Sequence, residues 1–545
     1  MNQTVTTTES LRRAACAATV FVCVTALAGC ASDHPASAPA ASEHPSRGAA
    51  VSSPSTVTPE KVKAAVVELE KLAKSSLQKT GVPGTAMAVV YKDQVVYADG
   101  FGFREAGKTD PVTADTVFQL ASISKPLGST VIAALVTDHK VKWDDRIIDH
   151  DPEFRMHEPS VTAAVTIRDM YAHRSGLPDH AGDLLEDMGY DRMEVLKRLR
   201  FIPTKNHFRA HYAYTNFGMT EGAVAAARAA GTSWEELSQE RLYKRLGMTS
   251  TSSRLSEFLA RPNRARGHVL IDGKWVPKYQ RKPDAQSPAG GASSSANDMA
   301  RWMRLHLNNG KFEGAPVVSP EALAETYRPH LVSDHETKSS TELYSFYGLG
   351  WGVRSDELGR VILSHSGAFA LGAGTAVELV PSEQLGIIVL TNGEPIGLAE
   401  ALTLSFVDLA TSGKVQRDWL AFIRPYFEAM AKEGHSPIDY SKAPPSRSSA
   451  LANTAYAGDY ENELYGPLRI VEHNGKLTMK QGPQESAYPL THYDHDTFYY
   501  ETAGENAVGL SGVTFTVEGT GKASRVVVEN LNKEGLGTFL RTAEK

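Results

Sequence analysis

The chain has 545 residues, of which 41% are hydrophobic and 22% are charged, so it is expected to be globular and long enough to form two or more domains. Its formal net charge is −6, its sequence pI is about 6.3, and it has no dense run of Lys and Arg. This charge pattern excludes nucleic acid as an expected partner.

The amino terminus has the pattern of an export signal. Two arginines precede an apolar stretch, 14–28, that is too short and too rich in small residues for a stable membrane span. The stretch runs into Leu-Ala-Gly-Cys30, which resembles the lipobox of bacterial lipoproteins, where the cysteine is lipidated and becomes the first mature residue. The alternative is an ordinary signal peptide that contains a cysteine. We predict a lipoprotein signal peptide over 1–29 and lipidation of Cys30.

The segment after Cys30 is predicted to be a tether. Residues 30–58 are dominated by Ala, Ser and Pro, and such a composition does not bury enough apolar surface to become ordered. Cleavage before Cys30 removes the other two cysteines and leaves no pair for an internal disulfide. We therefore expect a periplasm-facing lipoprotein of the bacterial cell envelope. Ala31 replaces the aspartate that would have indicated retention in the inner membrane, so the outer membrane is favoured.

The folded part is predicted to be α+β. A first helix begins at Pro59, is capped by Thr58 and ends at Gly81. Residues 84–98 alternate like two strands joined by a tight turn, and the middle of the chain is mostly helical in pattern, including a helix within 166–178. Further strands are predicted at 361–364, 374–379 and 387–391. Strands at both ends of this region predict one antiparallel sheet assembled from distant segments and flanked by helices.

The last part of the chain has a different character. Residues 413–452 are predicted to form a helix, at about 415–433, followed by a Pro-, Ser- and Ala-rich linker. In 453–545 the pattern is short strands, with Asn474-Gly475 between two alternating runs as a strong hairpin signal. We predict a small antiparallel β-barrel or sandwich domain here.

The candidate nucleophile is Ser122, which stands where a helix begins. A residue three positions further lies on the same helix face, so the Lys125 amine can reach the Ser122 hydroxyl. A serine needs a neighbour that takes its proton, and free amides at a helix start favour negative charge. Ser76 and Lys79 have the same spacing, but Ser76 lies late in the first helix, at the wrong end of the dipole. We therefore predict Ser122 and Lys125 as catalytic residues for acyl transfer.

Two later stretches supply the remaining groups that acyl transfer requires. Such a site needs a proton shuttle for the leaving group and donors for the oxyanion. We expect Tyr214 to pass the proton, and Asn216 to hold the lysine and a substrate carbonyl. His365 and Gly367 lie on a predicted strand whose edge would pair with an extended substrate, and the Ala368 amide is expected to join the Ser122 amide in an oxyanion hole.

The ordered motifs Ser-x-x-Lys at 122–125, Tyr-x-Asn at 214–216 and His-x-Gly at 365–367 resemble the class C β-lactamase superfamily with its penicillin-binding D,D-peptidase, D-aminopeptidase and esterase relatives. The resemblance covers about 60–412. It implies a β-lactamase-like serine hydrolase domain over 59–412, in which an antiparallel sheet flanked by helices adjoins a mostly helical lobe. Supporting stretches, in chain order, are 173–178, 246–248, 287–291 and 347–351.

The strands of 453–545 resemble the lipocalin-like domain that accompanies some of these relatives. That resemblance implies a domain that shapes the mouth of the active site or mediates self-association, and a purely stabilising appendage is the alternative.

Together these features predict an exported serine hydrolase that forms an acyl-enzyme on Ser122. Its substrate is expected to be a peptide, amide or ester, with D-amino-acid peptidase, D,D-carboxypeptidase-like and esterase activities left open. His365 stands where β-lactamases of this class usually carry lysine. A histidine with an ordinary pKa of ~6.5 is mostly neutral at pH 7 and is no fixed cation for a substrate carboxylate. A class C-like β-lactamase is therefore the alternative, and a non-catalytic envelope binding module is a second one.

No metal or cofactor is expected. His207 and His211 are four residues apart like a zinc pair, but the glutamate of His-Glu-x-x-His is absent. The expected partners are a small-molecule or peptide substrate, a membrane reached through the lipid anchor, and a second copy of the chain bound through the C-terminal domain.

Overall fold

The computed structural model describes residues 55–204, 208–333, 344–519 and 521–543. Its helices are α1 (Pro59–Thr80), α2 (Ser124–Thr137), α3 (Ile147–His150), α4 (Pro159–Ala164), α5 (Ile167–Tyr171), α6 (Asp183–Asp187), α7 (Arg192–Arg198), α8 (Asn216–Ala229), α9 (Trp234–Ser238), α10 (Lys244–Leu246), α11 (Leu255–Ala260), α12 (Ser287–Gly290), α13 (Ala296–Leu307), α14 (Pro320–Thr326), α15 (Leu398–Ser412) and α16 (Trp419–Met430). The predicted signal peptide, Cys30 and most of the predicted tether lie outside the described residues.

The strands fall into one large sheet, three short pairs and a C-terminal sheet. Those up to residue 391 are β1 (Gly84–Tyr91), β2 (Gln94–Gly102), β3 (Phe118–Gln119), β4 (Val269–Ile271), β5 (Lys274–Val276), β6 (Ser293–Ser294), β7 (Lys311–Phe312), β8 (Ala315–Pro316), β9 (Leu331–Val332), β10 (Phe346–Tyr347), β11 (Gly352–Ser355), β12 (Val361–Phe369), β13 (Ala373–Val380) and β14 (Leu385–Thr391). The C-terminal strands are β15 (Gly458–Asn462), β16 (Gly466–His473), β17 (Lys476–Gln481), β18 (Ser486–Pro489), β19 (Thr491–Asp494), β20 (Thr497–Glu501), β21 (Leu510–Val517), β22 (Ala523–Val528) and β23 (Thr538–Arg541).

The large sheet joins the two ends of the hydrolase region. Its strand order is β2-β1-β14-β13-β12-β11-β10-β9, and its neighbours are antiparallel. β1 and β14 are almost three hundred residues apart in the chain, yet they pair with Thr85 opposite Thr391. The predicted antiparallel sheet built from distant segments is therefore confirmed.

Helices cover both faces of this sheet, and its central strands are therefore buried on both sides. On one face of β1, Ala86 and Val90 pack into the core that includes α2. On the other face, Met87 and Val89 pack against α1 and α15. Each larger apolar side chain buried in this way contributes about 1.5–3 kcal/mol relative to an exposed one. Burial on both faces therefore holds the helices in fixed positions against the sheet.

Helix α1 has the ends that the sequence predicts. The Thr58 hydroxyl accepts a hydrogen bond from the Lys61 amide at 3.3 Å, and Gly81 ends the helix at a φ of +72°. The chain is already ordered before Pro59, inside the segment predicted to be a tether. Val57 is buried, and its carbonyl accepts a hydrogen bond from the Tyr91 hydroxyl at 3.0 Å. Packing against the folded domain therefore begins by Val57, inside the segment predicted to be a tether and two residues before Pro59.

The helix predicted within 166–178 is shorter than the sequence indicates. Thr166 and Asp169 form a capping box at the start of α5, but the helix ends at Tyr171, before the glycine and proline that were expected to stop it. His173 follows with a φ of +53°, and the Arg174 amide turns back to the Asp169 carbonyl at 3.0 Å. A local turn with a left-handed residue therefore ends this helix before the glycine and proline are reached.

The C-terminal strands form one nearly closed, barrel-like sheet in the order β18-β17-β16-β15-β23-β22-β21-β20-β19. Asn474 and Gly475 have φ values of +52° and +75° and join β16 to β17 by a tight turn, as the hairpin signal predicts. The predicted small antiparallel barrel is confirmed. The preceding helix, α16, spans 419–430 rather than 415–433.

Among the described residues, no helix has the length and apolar character that crossing a membrane requires.

Candidate active site

Ser122 lies in a short 3-10 turn, Ala121–Ile123, that leads directly into α2. The residue before it, Ala121, is buried and has a φ of +48°, in the left-handed region, and this conformation determines the direction in which the chain enters the turn. The Leu120 amide donates to the Ala292 carbonyl at 2.9 Å and fixes the strand that enters this turn. The predicted helix-start position of Ser122 is therefore confirmed, whereas Ser76 lies near the end of α1.

Lys125 lies fully buried one turn after Ser122. Its Nζ is 3.0 Å from Ser122 Oγ, and it donates to Asn216 Oδ1 at 2.7 Å and to the Ala289 carbonyl at 2.9 Å. Burial lowers the pKa of the Lys125 amine to about 7, although the negative charge of Asp183 opposes this change. A large fraction of the amine is therefore neutral near pH 7, as a proton acceptor must be.

Tyr214 reaches the same serine from the other side. Its hydroxyl donates to Ser122 Oγ at 2.8 Å, and the Lys125 ammonium group lies 4.4 Å from the centre of its ring. The buried His173 supports the ring, with 4.6 Å between ring centres, and holds the loop by accepting a hydrogen bond from the Thr215 amide at 3.2 Å. Burial raises the pKa of Tyr214 above its ordinary value, so the phenol keeps its proton at neutral pH.

Asn216 connects the lysine to a buried carboxylate. Its Oδ1 accepts from Lys125, while its Nδ2 donates to Asp183 Oδ2 at 2.8 Å. His180 Nδ1 lies 2.9 Å from the same carboxylate oxygen. The predicted contact of Asn216 with the lysine is present. One of its two amide protons is used by Asp183, which leaves the second for a substrate carbonyl.

His365 is held as a neutral ring. Its Nδ1 lies 2.6 Å from the Ser366 carbonyl, so the proton is on Nδ1 and Nε2 accepts from the Tyr347 hydroxyl at 2.9 Å. Burial, together with the nearby Lys125, lowers the pKa of His365 to about 3. The expectation that this position lacks a fixed cation therefore agrees with the geometry.

Gly367 and Ala368 bring strand β12 beside the serine. A Cβ on Gly367 would lie 2.3 Å from the Leu120 carbonyl oxygen and 3.2 Å from the Ser122 amide nitrogen, so only glycine permits this approach. β12 pairs with β13 along 363–369, whereas its pairing with β11 ends at Ser364. Among the described residues, 365–368 therefore pair with β13 alone. The other edge of this segment adjoins the Ser122 turn, and the Ala368 amide belongs to this part of the strand.

The beta-lactamase family model matches residues 69–407, which is more than half of the chain. The chain belongs to the beta-lactamase family. It is accordingly a serine hydrolase, and a second family model, described as a domain of unknown function (DUF3471), matches residues 442–537.

Two characterised relatives and two solved structures resemble this family member. An unguisins hydrolase, ungD, of Aspergillus violaceofuscus is 25% identical over 488 residues, which cover 82% of this chain and 84% of the relative. Penicillin-binding protein 4 of Amycolatopsis lactamdurans is 26% identical over 400 residues, which cover 71% of this chain and 95% of the relative. The octameric penicillin-binding protein homologue from Pyrococcus abyssi superposes with a TM-score of 0.56 at 20% identity, and the match covers 85% of this chain and 98% of that structure. A class C beta lactamase from Rhodobacter sphaeroides superposes with a TM-score of 0.52 at 22% identity, and the match covers 64% of this chain and 99% of that structure.

Sequence reasoning did not find every residue around this beta-lactamase-family site. His173 and Ala289 lie inside the supporting motifs. The packing of His173 on Tyr214 and the hydrogen bond from Lys125 to the Ala289 carbonyl join distant residues, so no sequence pattern near either residue predicts them. Asp183 was missed altogether, although its spacing of three from His180 was available. His180 likewise lies outside the three ordered motifs, and in the structure its ring centre is 5.7 Å from that of Tyr214.

The predicted absence of a metal is not tested by the geometry, because His207 lies outside the described residues. Within the described ranges, no group of three or more His, Cys, Asp and Glu side chains is arranged to hold a metal ion.

Proposed function

We propose that Ser122 is the nucleophile of an acyl-transfer reaction on a peptide, amide or ester. The observation that carries this proposal is the convergence of Lys125 Nζ and Tyr214 OH on Ser122 Oγ, at 3.0 Å and 2.8 Å. Both distances are those of hydrogen bonds in a working nucleophile and base pair. The substrate would bind along the edge of β12 that adjoins the Ser122 turn and place its carbonyl carbon against Ser122 Oγ.

In the first step, Ser122 Oγ bonds to the carbonyl carbon and its proton passes to the neutral Lys125 amine. Tyr214 does not act as the base here, because burial raises its pKa and disfavours a phenolate. When the bond to the leaving group breaks, Tyr214 gives its proton to that group and regains one from the Lys125 ammonium. Water then attacks the acyl carbon, the bond from that carbon to Ser122 Oγ breaks, Oγ takes up one of the protons of the water, and the acid product leaves.

The oxyanion formed in each step is held by two backbone amides, those of Ser122 and Ala368. The small distance from a Gly367 Cβ position to the Ser122 amide supports this pairing, because it brings β12 and the serine turn side by side. Preorganised amides of this kind typically contribute a factor of about 10² to 10³ to the turnover rate.

The charges around β12 favour a substrate without a carboxylate at this strand. His365 is neutral, so a substrate carboxylate placed beside it would meet no cation at this position. An ester or a D-aminoacyl amide fits better than a D,D-dipeptide or a cephalosporin.

Labelling by a serine-directed fluorophosphonate tests the nucleophile. The wild type is expected to be labelled and Ser122→Ala to remain unlabelled. Ser76→Ala is a matched control, because Ser76 and Lys79 repeat the spacing on an exposed helix end, and it should label like the wild type. Label retained in Ser122→Ala would refute the assignment, and an unlabelled wild type would favour a non-catalytic binding module.

A parallel turnover screen tests the substrate class. The purified protein is offered a short-chain ester, a D-aminoacyl amide, a D-Ala-D-Ala peptide and a chromogenic cephalosporin. The first two are expected to be hydrolysed at least tenfold faster than the last two, measured as kcat/KM. Rapid cephalosporin turnover would instead establish a β-lactamase.

The proposal includes an envelope location and self-association. It places the chain on the periplasmic side of a membrane, with the outer membrane favoured, held through Cys30. Labelled lipid should enter the wild type and not Cys30→Ser. The octameric penicillin-binding protein homologue from Pyrococcus abyssi supports self-association, and we propose the C-terminal domain as the surface that mediates it. Light scattering of the mature protein should give a mass of at least two chains, and a monomer would remove this part of the proposal.

A further inference from the structure

A loop of the C-terminal sheet reaches the hydrolase domain beside the active site. It connects β20 to β21 and is closed by the Thr502 amide, which donates to the Gly509 carbonyl at 2.9 Å. The amides of Glu505 and Asn506 donate to the two carboxylate oxygens of Asp187 at 2.9 Å and 2.8 Å. Asp187 is the last residue of α6, the helix that begins with Asp183.

The Glu505 side chain continues from this loop to the end of strand β12. Its Oε1 accepts from the Ala370 amide at 2.6 Å, and its Oε2 lies 3.4 Å from the Leu371 amide. Ala370 is two residues after Ala368 and directly follows the last residue of β12. One carboxylate from the C-terminal domain therefore satisfies the two amides with which the strand ends.

The buried Arg281 holds this carboxylate in place. Its Nε lies 3.4 Å from Glu505 Oε2, its Nη2 donates to Glu186 at 2.5 Å, and its guanidinium stacks 4.8 Å above the Phe369 ring. Phe369 in turn packs with Ala121, the residue before Ser122. The same arginine thus contacts the loop, α6 and the strand end that adjoins the nucleophile turn.

We propose that Glu505 is a positioning residue, through which the C-terminal domain holds the Ala368 amide in line with the Ser122 amide. This inference rests on the proposed function and gives the C-terminal domain a role in it. The Ala368 amide is useful only if it points at the oxyanion, and within the described part of the chain no second strand pairs with residues 365–368 to hold them. The Glu505 carboxylate supplies the missing restraint just beyond that segment.

The test compares Glu505→Ala with Glu505→Gln in the full chain, on an ester and on its thionoester analogue. Removing the acceptor is expected to lower kcat about 10- to 100-fold with KM changed less than about threefold, because the ground state depends little on the oxyanion donors. The oxygen-to-sulfur rate ratio should fall by at least about fivefold, because a misplaced amide no longer favours the oxyanion. Glu505→Gln keeps an oxygen that accepts from the Ala370 amide, so it should retain most of the wild-type kcat and most of the oxygen-to-sulfur rate ratio.

The controls separate positioning from folding and from the proposed function itself. Glu501→Ala removes an exposed acid at the end of β20 and should leave kcat unchanged. Should Glu505→Ala fail to fold, Glu505→Asp keeps the carboxyl group but withdraws its oxygens by about one bond length, and an intermediate loss of kcat is expected. Unchanged kcat and rate ratio in the variant that folds, or equal losses in Glu505→Gln and Glu505→Ala, would overturn the proposal. Failure of the nucleophile assignment would appear separately, as an unlabelled wild type.

Discussion

The pKa of Lys125 makes a prediction about the pH dependence of the enzyme. The amine must be neutral to take the Ser122 proton, and its pKa is about 7, so kcat/KM should rise with pH and level off above pH 8. Asp183 stabilises the ammonium form. Asp183→Asn removes that negative charge while an amide oxygen can still accept from Asn216, so the pKa of Lys125 should fall and the midpoint should move to lower pH.

The size of this change follows from the geometry. One Asn216 side chain separates the two charges, with hydrogen bonds of 2.7 Å and 2.8 Å at its ends. Two unit charges about 7 Å apart interact by roughly 2.4 kcal/mol at an effective dielectric constant of ~20 and by half of that at ~40. Because about 1.4 kcal/mol corresponds to one pH unit, we expect the midpoint to fall by roughly one pH unit.

The assay is kcat/KM for an activated short-chain ester between pH 5 and 9. Asp144→Asn serves as the control, since it neutralises an exposed aspartate that pairs with Arg168 and that is not among the groups shifting the pKa of Lys125, and its midpoint should match that of the wild type. A midpoint that stays near 7 in Asp183→Asn would refute the coupling between Asp183 and Lys125. A midpoint that moves to higher pH would refute the assignment of Lys125 as the base.

Three further predictions concern catalysis and stability. Tyr214→Phe removes the proton donor and should lower kcat by about 10² to 10⁴ for amides and by less for esters with good leaving groups; equal effects on both would contradict its role. Gly367→Ala places a methyl group 2.2 Å from Thr375 Oγ1, so activity should be lost and the melting temperature lowered, and a fully active variant would show that β12 can move away. Thr166→Ala removes the cap of α5 and should cost about 1–2 kcal/mol in urea unfolding, whereas an unchanged midpoint would mean that the cap is dispensable.

The sequence by itself determined the elements that depend on local geometry. The ends of α1, the Asn474-Gly475 turn and the helix-start position of Ser122 follow from caps, turn residues and periodicity, which act over a few residues. The ordered motifs also assign Lys125 and Tyr214 to one site with Ser122. The end of α5 was predicted too late, because His173 adopts a left-handed conformation and the Arg174 amide turns back to the Asp169 carbonyl before the glycine and proline are reached.

Only the tertiary structure decided the electrostatics of the site and its support. The pKa of Lys125 depends on complete burial, which no spacing encodes, and on a carboxylate that reaches it through Asn216. The contact between Glu505 and Ala370 joins residues 135 positions apart. Desolvation and long-range hydrogen bonds arise from how the domains pack, and a single chain read in order contains no local signal for either of them.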